Sequence, residues 1–278
     1  MLRTTLTALL LLGAAPAVAQ SADAALPDPN DRSDTFTLAV GGALIPDYEG
    51  SNDSEFTPFG AIRGRVSGIS FFTRGTALYV DVVRRPASGV DFDFGPILGV
   101  RRERVTKVED DVVRLFGKRN TAVELGAFAG VTFHGLTNPY DQLSLRVDVL
   151  HDVGNAHEST VVSPAIDFGT PLSRRTYVGA SLSADFVSNK YADYYYRTPA
   201  VWTPSGAYLA YNPDGGMKNW KAGLLLNQSL TGDLTGGLSI FAAGAYSRIV
   251  GDIADSVPVA DRGSRSQWQG ALGLAYTW

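Results

Sequence analysis

The sequence predicts an all-β protein: a transmembrane antiparallel up-and-down β-barrel of about 12 strands, with 10 or 14 as the neighbouring counts, behind a cleaved signal peptide. Three observations predict it. Apolar and polar residues alternate with a period of two through segment after segment. Short turns and long loops follow one another in alternation along the chain, the habit of barrels whose strands all cross the outer membrane. The chain also stops on "GALGLAYTW", residues 270–278, where a frayed tail would be ordinary.

Taken in order, the first element is an export signal. "MLRTTLTALLLLGAAPAVAQ" has Arg3, an apolar run over 6–15 and the small residues Ala17 and Ala19, which predicts cleavage after Ala19. The run is shorter than the roughly 20 residues a spanning helix needs. Residues 20–278 are then expected to form one outer-membrane barrel, with no linker and no internal repeat. The chain holds no Cys, which excludes both a lipid-modified N-terminal Cys and a disulfide framework. Its net charge of −4, more acidic still once Arg3 is lost, argues against a nucleic-acid partner. Mean hydropathy near zero is what strands half in lipid and half in water would average to.

The strands are expected near 35–44, 56–66, 69–74, 76–83, 90–103, 119–133, 141–153, 157–169, 175–187, 217–229, 236–248 and 265–278. In "VDFDFGPILGV", Val90, Phe92, Phe94, Leu98 and Val100 oppose Asp91, Asp93, Gly95 and Gly99. In "QLSLRVDV", Leu143, Leu145, Val147 and Val149 oppose Ser144, Arg146 and Asp148. Charged residues interleaved with Gly in mid-strand suit a wet lumen better than a soluble sandwich. The stretch 69–83 is short for two crossings and long for one; an even count requires a tight hairpin near Arg74 and Gly75. Lumen charges Asp91, Asp93, Arg101, Glu124, Arg146, Asp148, Asp185 and Lys221 have mixed signs, which favours mutual pairing over an open pore of one sign. In the last strand Leu272, Leu274, Tyr276 and Trp278 share one face and act as the expected signal to the barrel insertion machinery. That strand must pair with the first, because an open edge in hydrocarbon leaves backbone groups unsatisfied.

Four groups of residues are candidates for function. His151, Asp152, His157, Glu158 and Ser159 lie within nine residues and suit a hydrolase, with His as base, Asp as orienter and Ser as nucleophile. A metal reading would use His151, His157 and Glu158. The plainer reading is a hairpin turn around Gly154 and Asn155, and the expectation is no catalytic residue, no metal and no cofactor. Loop 188–216 holds Tyr191, Tyr194, Tyr195, Tyr196, Trp202, Tyr208 and Tyr211, with six of the chain's 12 Tyr. Such rings form an interface girdle, cap the barrel or make an interaction patch. Arg101, Arg102, Arg104, Lys107, Arg114, Lys118 and Arg119 make a basic loop, self-paired or holding lipopolysaccharide phosphates. Asp47, Glu49, Asp53 and Glu55 make an acidic first loop, solvated or binding a divalent cation.

Several stretches resemble the MipA/OmpV family of Gram-negative outer-membrane proteins: "GGALIPDYEGSND", "VDVLHDVGNAHES", "YADYYYRTPA" with "YNPDGG", and "GDIADSVPVADRGSRSQWQGALGLAYTW". Family members usually carry Gly after the His-containing turn, where this chain has Glu158–Ser159. They tend to carry Ser-Pro where it reads Ser256–Val257–Pro258. The resemblance implies an outer-membrane barrel and, from the founding member, a scaffold joining a murein-lytic transglycosylase to a peptidoglycan synthase. The leading expectation is therefore a non-enzymatic scaffold or interaction protein among outer-membrane lipid and lipopolysaccharide. A small-solute, antibiotic or osmolyte channel is the first alternative. A lipid-modifying enzyme centred on His151 or His157 is the second.

Overall fold

A computed structural model describes residues 33–83, 89–105, 108–203 and 206–278; the signal-peptide expectation and Lys107 lie outside the described residues. The strands are β1 (Thr35–Pro46), β2 (Ser54–Val66), β3 (Ile69–Arg74), β4 (Ala77–Asp81) and β5 (Val90–Arg101). After helix α1 (Asp111–Leu115) come β6 (Ala122–His134), β7 (Gln142–Asp152), β8 (Thr160–Pro171) and β9 (Thr176–Val187). Helix α2 (Asn189–Tyr196) and a small hairpin, β10 (Val201–Thr203) with β11 (Gly206–Tyr208), fill the next connection. The chain finishes with β12 (Gly216–Ser229), β13 (Gly237–Ile249), a 3₁₀ turn at Asp252–Asp255, α3 (Val257–Ala260) and β14 (Ser266–Thr277).

Twelve of these strands form a closed antiparallel barrel, each beside its neighbour in sequence apart from the β10–β11 excursion. Closure is made by β1 and β14, in register from Thr37 opposite Thr277 to Leu44 opposite Gly270. The final strand is thus stitched along its length to the first, and Trp278 exchanges backbone bonds with Phe36. No edge is left at the seam, which satisfies the backbone where lipid offers no partner.

The period-two pattern sorts the two faces. Phe92, Leu224, Trp268, Leu272 and Leu274 face outward and stay exposed, Trp268 to 70%, as lipid-facing residues must. Two clusters of rings mark the ends of this apolar band. Trp220, Tyr246 and Trp268 pack against one another, edge-on and tilted, at one end; Phe36, Phe71, Tyr276 and Trp278 meet at the other. Tyr276 and Trp278, read from sequence as an insertion signal, sit in this second belt.

Inside, charges pair across the lumen. Arg146 lies 2.7 Å from Asp148 and 2.8 Å from Asp167, both buried. Arg74, from the β3–β4 hairpin, adds a contact of 2.9 Å to Asp167. Tyr79 donates to Asp148 and stacks on Phe72, with Phe128 against both. Acid, base and ring from β3, β4, β6, β7 and β8 therefore meet in one cluster, which fills part of the barrel interior. Asp91 faces His134 at 2.9 Å, nearer the end with the short turns.

Candidate functional site: the mouth of the barrel

The long connections 47–53, 102–121, 153–159, 188–215 and 250–265 gather at one end, the extracellular end by the usual asymmetry of loop length. At the centre is α2. Ser188 caps it, its hydroxyl accepting from Tyr191 N–H, and the helix stops before Thr198 and Pro199. Tyr191, Ala192, Tyr195 and Tyr196 lie on one helical face and are buried, Tyr191 completely. Two arginines of the 102–121 connection hold the other end. Arg119 donates to the Tyr194 carbonyl at 2.5 Å, and Arg104 donates to that of Tyr195. Cations at the carbonyl end of a helix complement its dipole and satisfy orphan acceptors.

Beneath α2 lies a network of buried charge. Lys218 Nζ is 2.9 Å from Glu49 and 3.3 Å from Asp185, while Lys221 reaches Asp185 at 2.8 Å. Glu49 also accepts from Tyr196 hydroxyl at 2.9 Å and from Asn219 at 2.7 Å. Lys218 Nζ donates to Tyr191 hydroxyl at 3.3 Å. Burial works against the charge on Glu49, but Lys218 and Lys221 outweigh it and hold this carboxyl below its ordinary range. Glu103, beside it, is pushed the other way by burial and by the charge of Glu49. Burial and the neighbouring Arg119 pull Arg104 down to about 10. Glu49, Glu103, Arg104 and Tyr195 line a small cleft with Tyr48, Tyr196 and Pro258.

A second chain of contacts runs from the β6 wall. Arg101 grips Glu124 with two hydrogen bonds, of 2.9 and 3.2 Å, and lies over the ring of Tyr191. Glu124 is 3.1 Å from His157 Nε2, and His157 Nδ1 is 2.8 Å from Ser159 Oγ. The His157 ring packs on Tyr191 and Tyr195, with centroids 5.0 and 5.6 Å away. Acid, imidazole and hydroxyl are thus aligned, yet all three residues are buried under α2 and the acid is already held by Arg101. Asp152 takes no part in that chain. Its carboxylate accepts from the amides of Gly154, Ala156, His157 and Glu158 and shapes the hairpin turn. His151 faces outward and contacts Thr160 at 2.9 Å. Glu158 has φ of +47°, the left-handed region that favours Gly.

Other sequence candidates are distributed as follows. Tyr194 lies partly buried against Tyr195, and its hydroxyl oxygen accepts from Asn120 N–H. Tyr211 donates to the Asp252 carbonyl, Tyr208 packs against the cluster of Tyr48, Val108, Val113 and Phe116, and Trp202 is 85% exposed. In the first loop Asp47 accepts from the Glu109 amide at 2.7 Å and Glu103 accepts from the Glu49 amide at 2.9 Å, so this loop is strapped to the 102–121 connection. Arg101, Arg104 and Arg119 of the basic loop point into the mouth. Lys218 was not singled out by sequence reasoning. Strict alternation places it with the lipid-facing set, but the register shifts between Met217 and Asn219, and this bulge turns both Lys218 and Asn219 inward.

Comparison with known proteins fixes the relationship. The family model described as MltA-interacting protein MipA matches residues 38–278. The chain belongs to the MipA family. No curated protein matches it in sequence. Among solved structures, this MipA-family barrel resembles the Pseudomonas putida toluene transporter TodX, at 10% identity, covering 98% of this chain and 99% of that one with a TM-score of 0.41. It also resembles an outer-membrane channel from Pseudomonas putida F1, at 12% identity, 92% and 100% coverage and a TM-score of 0.45. The anion-selective porin from Comamonas acidovorans follows at 10% identity, 88% and 99% coverage and a TM-score of 0.38. The MipA-family barrel is an outer-membrane protein, and its mouth is occupied by its own α2.

Proposed function

We propose that this barrel is a plugged, non-enzymatic scaffold of the outer membrane, whose periplasmic turns engage peptidoglycan-remodelling machinery. The observation that carries the reading is occlusion by internal partners. The rings of α2 sit in the mouth over the Glu49–Lys218–Asp185 network, and the Arg74–Asp167–Arg146–Asp148 cluster crosses the lumen below. A polar channel needs side chains that face water and leave a path, whereas these charges face one another. Burial of Ser159 and His157 supports the absence of hydrolysis, since a nucleophile must meet its substrate.

The partner follows from the family description, which names an interaction with MltA; a murein-lytic transglycosylase and, through it, a peptidoglycan synthase are the proposed partners. Among the described residues, the periplasmic surface includes the turns 67–68, 135–141, 172–175 and 230–236. In one of them Asp141 accepts from Leu136, Thr137 and Asn138 and holds the backbone in one shape. Affinity capture on the detergent-solubilised barrel tests the idea. Enrichment of a lytic transglycosylase is expected, and it should fall when Asp141→Ala loosens that turn. Failure to enrich any murein enzyme would overturn the scaffold reading.

A further inference from the structure

The interior is unevenly filled. Arg74 on β3 reaches Asp167 on β8, so the ion-paired cluster spans the barrel as a chord. On the β4–β7 side of it Tyr79, Ile97 and Phe128 pack together and are buried. On the other side, inward-facing groups keep access to solvent. The Lys221 side chain is 43% accessible although it points in to Asp185, Arg74 keeps 18%, and Ser181 and Asn227 are half-buried. Toward the mouth the next inward residues on β12, β13 and β14 are Asn219, Ile249 and Gln267, and all three are buried. The accessible space therefore lies beneath the plug.

Three donors at the lower margin of this space have no partner: the Tyr177 hydroxyl, Gln142 Nε2 and Arg74 Nε. Tyr177 and Gln142 are more than nine-tenths buried. The three belong to one neighbourhood, since Gln142, Arg74, Arg63 and Asp167 are the groups that act on the Tyr177 hydroxyl. Gln142 on β7 lies in register with Gly169 on β8, and Gly169 with Gly179 on β9. Neither glycine offers a side chain to fill the gap between Gln142 and Tyr177. The Tyr177 ring lies over Gly179, where a Cβ would sit 3.5 Å from its Cε1, and Leu225 and Leu234 pack against it. Arg74 spends Nη1 and Nη2 on the two oxygens of Asp167, which leaves Nε. The acids at this end are engaged too: Asp91 with His134 at 2.9 Å, and Asp93 with Thr132 at 2.6 Å. A buried donor without an acceptor is costly, and several in one place mark a missing acceptor.

We propose that Tyr177, Gln142 and Arg74 form a binding site for a small oxyanion admitted from the periplasm. Tyr177 stands one residue inside the 172–175 turn and Gln142 directly follows Asp141, so the site lies just within the short-turn end. An oxyanion presents several acceptor oxygens to several donors, and the guanidinium of Arg74 makes one of the bonds charge-assisted. A water molecule suits the site less well, because it accepts two hydrogen bonds and must place two of its own among donors. Phosphate and carboxylate share the required chemistry. The inference goes beyond the scaffold reading and does not rest on it.

The test is isothermal titration calorimetry of the detergent-solubilised full-length barrel with sodium phosphate and, separately, sodium acetate, each replacing chloride at constant ionic strength. Saturable binding of at least one is expected, and the better of the two identifies the class. Tyr177→Phe and Gln142→Leu should each weaken it about tenfold, the usual worth of a hydrogen bond to a charged group. Tyr211→Phe, at the mouth, should leave it unchanged. No saturable binding of either anion would overturn the site, as would binding that survives both replacements, which places the ion elsewhere. In chloride, Tyr177→Phe should keep the thermal midpoint of the unmodified barrel, because the hydroxyl it removes bonds to nothing in the protein. A lower midpoint would mean that the protein already satisfies that hydroxyl, and would also overturn the site. If the variants do not fold, crystals of the unmodified barrel grown with selenate or bromoacetate decide. An anomalous peak beside Tyr177 and Gln142 is expected with one of them, and its absence with both would contradict the proposal.

Discussion

Lys218 shows how much one inward turn can carry. Its side chain is 1% exposed and its ammonium holds two carboxylates, Glu49 and Asp185, while its neighbour Asn219 binds the first of them. Lys218→Met would leave Glu49 buried without its cation, at a cost of about 3 kcal/mol. The expected result is a lower thermal midpoint in the heat-modifiable gel shift, larger than that of Lys221→Met, because Lys221 is itself partly exposed. Glu158 predicts the opposite sign. Its left-handed backbone costs a non-Gly residue about 1 kcal/mol, so Glu158→Gly should raise stability by that order in urea titration. No change, or a loss, would mean that its surface contact with Lys190 outweighs the strain.

At the scale of elements, the mouth is held by short caps and clasps. Asp110 caps α1, accepting from the amides of Val112 and Val113, and is gripped by Arg262 from the 250–265 connection. Burial resists its ionisation, but Arg262 and the helix amides prevail and keep its pKa below 3.8. A depressed carboxyl stabilises the folded state fully above that ordinary value and loses its contribution as pH falls through the lowered one. Limited proteolysis within 102–116 should therefore speed up below pH 3.8 while the strands stay resistant, and Asp110→Ala should do the same at neutral pH, at a cost of about 1 kcal/mol. Equal cleavage across the pH range would contradict the clasp. These contacts were the least legible part of the sequence. Alternation located every barrel strand within a few residues, including the doubtful 69–83 hairpin, because burial of one face in lipid imposes a strict period. It offered the Tyr-rich connection as a cap for the barrel but did not reveal that the connection would fold as a helix. Nor did it reveal that His157 would take Glu124, rather than the adjacent Asp152, as its acid. Such pairings join residues far apart in sequence, and a local pattern holds no record of them. Lys218 was hidden for another reason: a single bulge shifts the parity on which the reading depends.

On the scale of the whole molecule, the hydrogen-bonded wall and the occupied interior serve different ends. The wall gives a closed ladder from β1 to β14 with one thin sector at β3–β4, and the sequence marks that sector by its short segments and by Pro58. The interior gives an ion-paired cluster and a tyrosine plug, both drawn from residues that an open channel would leave to water. Weakening the plug should therefore change permeability before it changes the fold. Lys218→Met is expected to admit small ions intermittently while the barrel keeps its resistance to detergent. The most direct test is the electrical conductance of the unmodified full-length protein in planar bilayers at neutral pH. A barrel closed by its own α2 and lumen pairs predicts a silent membrane after verified insertion. Stable, reproducible current steps from the unmodified protein would contradict the account.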